Sequence, residues 1–298
     1  MGPQSPGPFG YAGSTPASGT MPGELDRPVF VVGCGRSGTT LLGTLLGAHP
    51  DVVYLNEPRQ LWAQDPRTNV WWPGAGRIVL TGDDLALETA AALRRRFAAR
   101  VAAGGGRRLV EKTPINAFRI GYVHALCPDA RFVHLLRDGR AVAASIARLA
   151  SAPPGPSGRR GWPRRRARRS SPGGFGAQDM KWQMLRDLAA SEAIDATVAD
   201  GDMARRGLVE WRLAVTFARR SLAGIDPSRW TEVRYEDLVG APAVTVAALQ
   251  RAVELDESPE VAALARREVR PPGAPPPTLG PVERALAGDL LVELGYGD

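Results

Sequence analysis

Residues 33–40, Gly-Cys-Gly-Arg-Ser-Gly-Thr-Thr, restrict what this chain can fold into more than any other stretch. They follow an apolar run at 28–33 (Pro-Val-Phe-Val-Val-Gly) and precede residues 40–48, where Leu41, Leu42, Leu45 and Leu46 share one helical face. A short apolar run bounded by Pro and Gly predicts a buried parallel strand, so the segment reads strand, glycine-rich turn, helix. Glycines let the backbone turn tightly, which points several N–H groups into one concavity, and the helix N-terminus adds its partial positive charge. The segment therefore predicts an anion cradle made by Gly35, Arg36, Ser37, Gly38, Thr39 and Thr40.

The same alternation continues along the chain. Further strands are expected at 52–55, 109–110, 132–136 and 230–235, with helices at 83–103 (capped near Thr81), 116–126, 141–149, 181–197, 208–223, 244–253 and 282–294. Residues 271–281 read as an extended Pro-rich linker, and no internal repeat is present. Strands alternating with helices over short connections predict an α/β fold of the P-loop type: three layers, with a central, mainly parallel sheet flanked by helices. The 298 residues suffice for one domain, expected over 27–298. Residues 1–26 are Gly-, Pro- and Ser-rich with neither a charged n-region nor an apolar h-region, and are expected to be a disordered tail. Residues 151–177 read as a low-complexity Arg/Pro/Gly loop.

No apolar run approaches the length of a membrane span. Cys34 and Cys127 sit where buried strand or turn positions are expected, and His49, His124 and His134 lack metal-ligand spacing. A cytoplasmic, metal-free protein follows. The formal charge of +7 is uneven: no acid occurs between Asp138 and Asp179, a stretch that holds Arg159, Arg160, Arg164, Arg165, Arg166, Arg168 and Arg169. Only two lysines exist, Lys112 and Lys181. Trp162 is the only aromatic residue within the basic run, so stacking on single-stranded nucleic acid is not expected and nucleic acid is not a predicted partner.

The loop falls one residue short of a Walker A sequence, because Thr39 stands where that pattern needs Lys; the cation sits instead at Arg36. With that difference in view, Val-Val-Gly-Cys-Gly-Arg-Ser-Gly-Thr-Thr-Leu-Leu at 31–42 resembles the phosphosulfate-binding loop of the PAPS-dependent sulfotransferase superfamily. Residues 131–146 resemble that superfamily's second signature, in which an Arg ending a strand and a Ser eight positions later hold the donor's 3′-phosphate; here these are Arg137 and Ser145. Within the superfamily, the stretch Ala-His-Pro-Asp-Val-Val-Tyr-Leu-Asn-Glu-Pro-Arg-Gln at 48–60 resembles the branch of tyrosylprotein sulfotransferases and many bacterial relatives. Glu57 and Arg59 fall where that branch places its catalytic base and a neighbouring Arg. Glu-Lys-Thr-Pro at 111–114 resembles the element whose Lys lies beside the transferred group, which is Lys112, and Tyr235-Glu236-Asp237-Leu238 the one whose Tyr lies against adenine. The loop at 56–59 lacks an acid of the tyrosylprotein enzymes, and Pro114 occupies the position at which many small-molecule sulfotransferases carry a His base.

The resemblance implies transfer of a sulfuryl group from PAPS to a hydroxyl acceptor, leaving PAP, by in-line displacement. Glu57 would take the acceptor's proton, Lys112 and Arg36 would neutralise charge on sulfuryl oxygens and leaving phosphate, and Arg59 would face the acceptor. Gly35, Arg36, Ser37, Gly38, Thr39, Thr40, Arg137, Ser145 and Tyr235 would hold the donor. A small molecule, sugar or peptide could be the acceptor, lined by residues 60–77 and 150–210, with Trp62, Trp71, Trp72 and Trp162 near the site. Two other readings stay open at this point: a P-loop kinase or NTPase, and a noncatalytic nucleotide-binding protein.

Overall fold

The computed structural model describes residues 25–70, 76–151, 176–271 and 273–297, with side chains from 180 onward in the third stretch. The strands are β1 (Val29–Val32), β2 (Val52–Asn56), β3 (Arg108–Lys112), β4 (Arg131–Leu136) and β5 (Trp230–Arg234). They form one sheet in the order β2-β3-β1-β4-β5, every neighbouring pair parallel. Side chains alternate across a strand, so each face needs its own cover. Phe30, Val32, Leu109 and Phe132 enter one core; Val29, Val31, Val110 and Val133 enter the other. β1 is wholly buried as a result, which is why it reads as an unbroken apolar run.

Helices α1 (Thr39–Leu46), α2 (Arg59–Trp62), α3 (Leu87–Ala103), α4 (Ile120–Leu126), α5 (Gly139–Ser151), α6 (Gly176–Ser191), α7 (Met203–Leu222), α8 (Tyr235–Gly240), α9 (Pro242–Ala252), α10 (Pro259–Glu268) and α11 (Pro281–Glu293) surround the sheet. α1, α8, α9 and α10 bury Leu42, Leu45, Leu46, Leu238, Val246, Leu249 and Val261 on the Val29 face. α2 to α7 and α11 close the Phe30 face. The expected three-layer α/β class is what the chain adopts.

Several boundaries differ from expectation, and caps explain most of them. α10 was not anticipated, although Ser258 accepts from Val261 N–H at 3.4 Å and Pro259 opens the helix. α7 begins before 208 because the Asp202 side chain accepts from the N–H groups of Ala204 and Arg205. The helix expected at 181–197 starts earlier, within the residues read as a loop at 151–177, and stops at Ser191; Asp195 caps a separate 3₁₀ turn, Ala196–Ala199. The helix expected at 83–103 is broken likewise, into the turn Gly82–Asp84 and α3, with Thr81 and Asp84 in a capping box. At 116–126 the break is at Arg119, buried and donating to the carbonyls of Thr68, Arg77 and Ile78. Tyr235 opens α8 instead of closing β5. Residues 1–24 of the expected tail, 152–175 of the expected loop with its seven arginines, and Trp71, Trp72 and Trp162 lie outside the described residues.

Candidate active site

Parallel strands all end at one edge of the sheet, and β1, the central strand, carries β3 on one side and β4 on the other. A crevice outside the strands' carboxyl ends follows from that topology. β1 leads into the glycine-rich loop, β2 into Glu57, β4 into Arg137 and β5 into Tyr235, while Lys112 is the last residue of β3. Every strand therefore delivers a sequence-predicted site residue to the same edge.

Two loop glycines are required by geometry. Gly33 has φ 148°, and a Cβ there would lie 2.6 Å from the Leu135 carbonyl oxygen; Gly38 has φ 101°, and its Cβ would lie 2.6 Å from the Tyr235 ring. Between them Arg36 adopts φ 73°, a left-handed conformation that non-glycine residues reach only at a cost. From there its Nε donates to Ser145 Oγ at 3.2 Å. Arg137 Nη1 donates to the Arg36 carbonyl at 3.1 Å, and its guanidinium stands 4.1 Å from the centre of the Tyr235 ring. Arg36, Arg137, Ser145 and Tyr235 thus form one contiguous group. Ser37 and Thr39 are buried, Gly35 and Gly38 half-buried, and Thr40 exposed on the first turn of α1.

Glu57 is also left-handed, with φ 47°, and its N–H donates to the Lys112 carbonyl at 2.8 Å. Lys112 Nζ donates to Glu57 Oε1 at 2.8 Å, and Arg59 Nη2 to Oε2 at 3.0 Å. Burial pushes the Glu57 carboxyl up, but Lys112 and then Arg59 outweigh it and hold it below its ordinary value. The Lys112 side chain is 1% exposed and that of Glu57 33%, so the ammonium lies inside and the carboxylate at the surface of the crevice.

Glu111, the residue before Lys112, points to the opposite face. It is fully buried and accepts from Trp62 Nε1 at 2.9 Å, Asn116 Nδ2 at 3.3 Å and the Thr113 hydroxyl. Strand alternation gives Lys112 to Glu57 and not to its neighbour Glu111. Trp62, expected near the site, is a core residue packed on Phe30 and Phe97. Burial raises the Glu111 carboxyl to about 7, against 4.5 ordinarily. Its neutral form is therefore the one the folded state favours. The stability this confers is complete below pH 4.5 and is lost as pH rises through about 7, a change of about 3 kcal/mol. Urea unfolding at about pH 5 and about pH 8 should show a smaller loss for Glu111→Gln than for the parent. Equal losses would mean that this carboxyl does not titrate in that window.

Sequence reasoning missed three residues at this edge. Trp211 of α7, fully buried, donates from Nε1 to the Arg137 carbonyl at 2.9 Å and covers Gly139, where a Cβ would lie 2.6 Å from its ring. Glu210 lies beside Gly35, and Lys181 of α6 pairs with it. Trp211 and Glu210 sit on a helix whose sequence neighbours carry no motif, so their only signal is tertiary. His49, buried after α1, is structural. Asp51 N–H donates to its Nδ1 at 3.1 Å, leaving Nε2 to donate to the Asp256 carbonyl at 3.0 Å.

The fold is an α/β protein with a glycine-rich loop at the carboxyl edge of a parallel sheet. Residues 28–167 match the model of a sulfotransferase family. Over 129 residues the chain is 34% identical to nodulation protein NoeE of Sinorhizobium fredii, covering 39% of this chain and 30% of that protein. Over 138 residues it is 30% identical to human protein-tyrosine sulfotransferase 1, covering 42% of this chain and 35% of the other. The chain thus spans less than half the length of these curated relatives. The sulfotransferase domain from the curacin biosynthetic pathway superposes with a TM-score of 0.51 at 16% identity, over 90% of this chain and 98% of that one. A Mycobacterium avium sulfotransferase gives 0.50 at 15% identity, over 90% and 77%. These last two likenesses concern the fold.

Proposed function

We propose that this chain is a PAPS-dependent sulfotransferase acting on a hydroxyl acceptor, its domain spanning 27–298. The observation that carries the reading is the meeting of two separate motifs: Arg36 of the glycine-rich loop hydrogen-bonds Ser145, and Arg137 holds the Arg36 carbonyl. One group with two cationic poles suits a nucleotide bearing a phosphosulfate at one end and a 3′-phosphate at the other. Gly35, Ser37, Gly38, Thr39 and Thr40 would receive the 5′ end, Arg137 and Ser145 the 3′-phosphate, and Tyr235 the adenine.

Glu57 would accept the proton of the acceptor hydroxyl as its oxygen bonds to sulfur. The bond from sulfur to the bridging phosphate oxygen breaks in line with it and leaves PAP. Each carboxylate oxygen has two lone pairs, so Oε1 can keep Lys112 while accepting that proton. Lys112 and Arg36 would stabilise charge on the sulfuryl oxygens and leaving phosphate, and Arg59, exposed beside Glu57, would meet the acceptor. No helix among the described residues is long and apolar enough to cross a membrane; we place the enzyme in the cytoplasm.

Thermal unfolding with PAP tests the donor site. At about 100 times Kd, PAP should add about 2.7 kcal/mol, a shift of several degrees. Arg137→Ala should abolish the shift without changing the unliganded midpoint by more than a degree or two. A shift with ATP and Mg²⁺ but none with PAP would turn the reading to a kinase.

A further inference from the structure

Glu210 poses an electrostatic problem for the loop just described. A side-chain carbon at Gly35 would lie 3.5 Å from Glu210 Oε1, so a carboxylate stands against the backbone expected to hold a phosphosulfate. An uncompensated carboxylate beside that backbone would oppose anion binding. Lys181 answers it: its Nζ is paired with Glu210 Oε1, and each side chain is 17% exposed. Both charges also act on the buried Cys34 thiol inside the loop; burial and then Glu210 raise it, and Lys181 opposes them.

The pair joins two helices to the loop. Glu210 precedes Trp211, which clasps the Arg137 turn, so α7 presents its acid and its indole to the two anion-binding segments in succession. Lys181 comes from α6, on the other side of residues 152–175. Against a background of arginine, the chain's only two lysines both lie at this crevice, each paired with a glutamate: Lys112 with Glu57, Lys181 with Glu210. An ammonium is a compact point charge that fits where a planar guanidinium would not.

We propose that Lys181 is a further donor-positioning residue, which neutralises Glu210 against the phosphate loop so that the loop can hold the donor's 5′ end. The proposal rests on the donor reading above. It predicts a specific pattern of PAP affinities rather than a simple loss. Lys181→Met, which leaves Glu210 unpaired beside Gly35, should weaken PAP by about tenfold or more. Glu210→Gln should bind PAP as tightly as the parent or more tightly. The double variant Lys181→Met, Glu210→Gln should return to within about threefold of the parent, since the repelling charge is gone.

Calorimetric titration of PAP into the four proteins, with unliganded unfolding midpoints recorded for each, decides the matter. If the parent binds no PAP, the donor reading fails, and this inference with it. If the parent binds and Lys181→Met binds equally well, only this inference fails. A double variant as weak as Lys181→Met would also overturn it, because Lys181 would then act independently of Glu210. Should Lys181→Met fold poorly, Glu210→Gln still decides: a loss of affinity there contradicts the proposal. In turnover, Lys181→Met should raise the KM for donor while leaving kcat within about threefold, a split that a merely structural defect would not produce.

Discussion

Glu57→Gln should lower turnover at saturating donor and acceptor by 10²- to 10⁴-fold, the usual range for removing a general base. PAP affinity should stay within about twofold, because Glu57 touches Lys112 and Arg59 and none of Arg36, Arg137 or Ser145. The geometry makes this a demanding test. Glutamine keeps the size of the side chain and one acceptor oxygen for Lys112, so the left-handed backbone at 57 and the fold should survive. What it cannot do is take a proton. Retention of more than about a tenth of the parent's turnover would sink the base assignment. The depressed carboxyl adds a corollary: Glu57 stays ionised down through its ordinary value of 4.5, so the acid limb of the rate should begin below that pH.

Trp211→Ala should destabilise the protein by about 3–5 kcal/mol, the range for truncating a buried aromatic residue. The cost has two parts. The indole fills the space over Gly139 where not even a Cβ would fit, so its removal opens a cavity between α5 and α7. Its Nε1 also donates to the Arg137 carbonyl, and that half-buried acceptor would lose this partner. Trp211→Phe separates the parts: it keeps much of the packing and loses only the donor, for about 1–3 kcal/mol. Because the Arg137 turn is clasped by this residue, PAP affinity should fall in both variants. Urea unfolding with and without PAP measures the two effects together. A loss under about 1 kcal/mol for Trp211→Ala would show that α5 and α7 close over the gap.

The unequal legibility of the molecule has local causes. The buried strands at 29–32 and 132–136 are announced by their apolar runs, whereas β3, equally buried but carrying Arg108, Glu111 and Lys112, is legible only at 109–110. α10 carried its own signal, a Ser-Pro start that went unread. The interruptions at Arg119 and after Ser191 were not legible, because each depends on what lies nearby in space or on how a short turn is capped. Arg119 breaks its helix while binding the carbonyls of Thr68, Arg77 and Ile78, a segment remote in sequence.

The site divides in the same way. The glycines at 35 and 38 and the Arg at 36 are legible in the turn itself, since a tight anion-binding turn allows few residue types, whereas Glu57, Lys112, Arg137 and Ser145 come from the family resemblance. By itself, then, the sequence determined the α/β class and the strand–turn–helix setting of the glycine-rich loop. Tertiary structure alone decided which of those groups touch. Lys112 went to Glu57 and not to Glu111 because neighbouring strand residues face opposite ways, and Arg36 met Ser145 because β1 and β4 lie side by side. It also brought Glu210, Lys181 and Trp211 to the loop, residues without a motif, since helix packing and not local spacing sets what a helix presents to a site on another element.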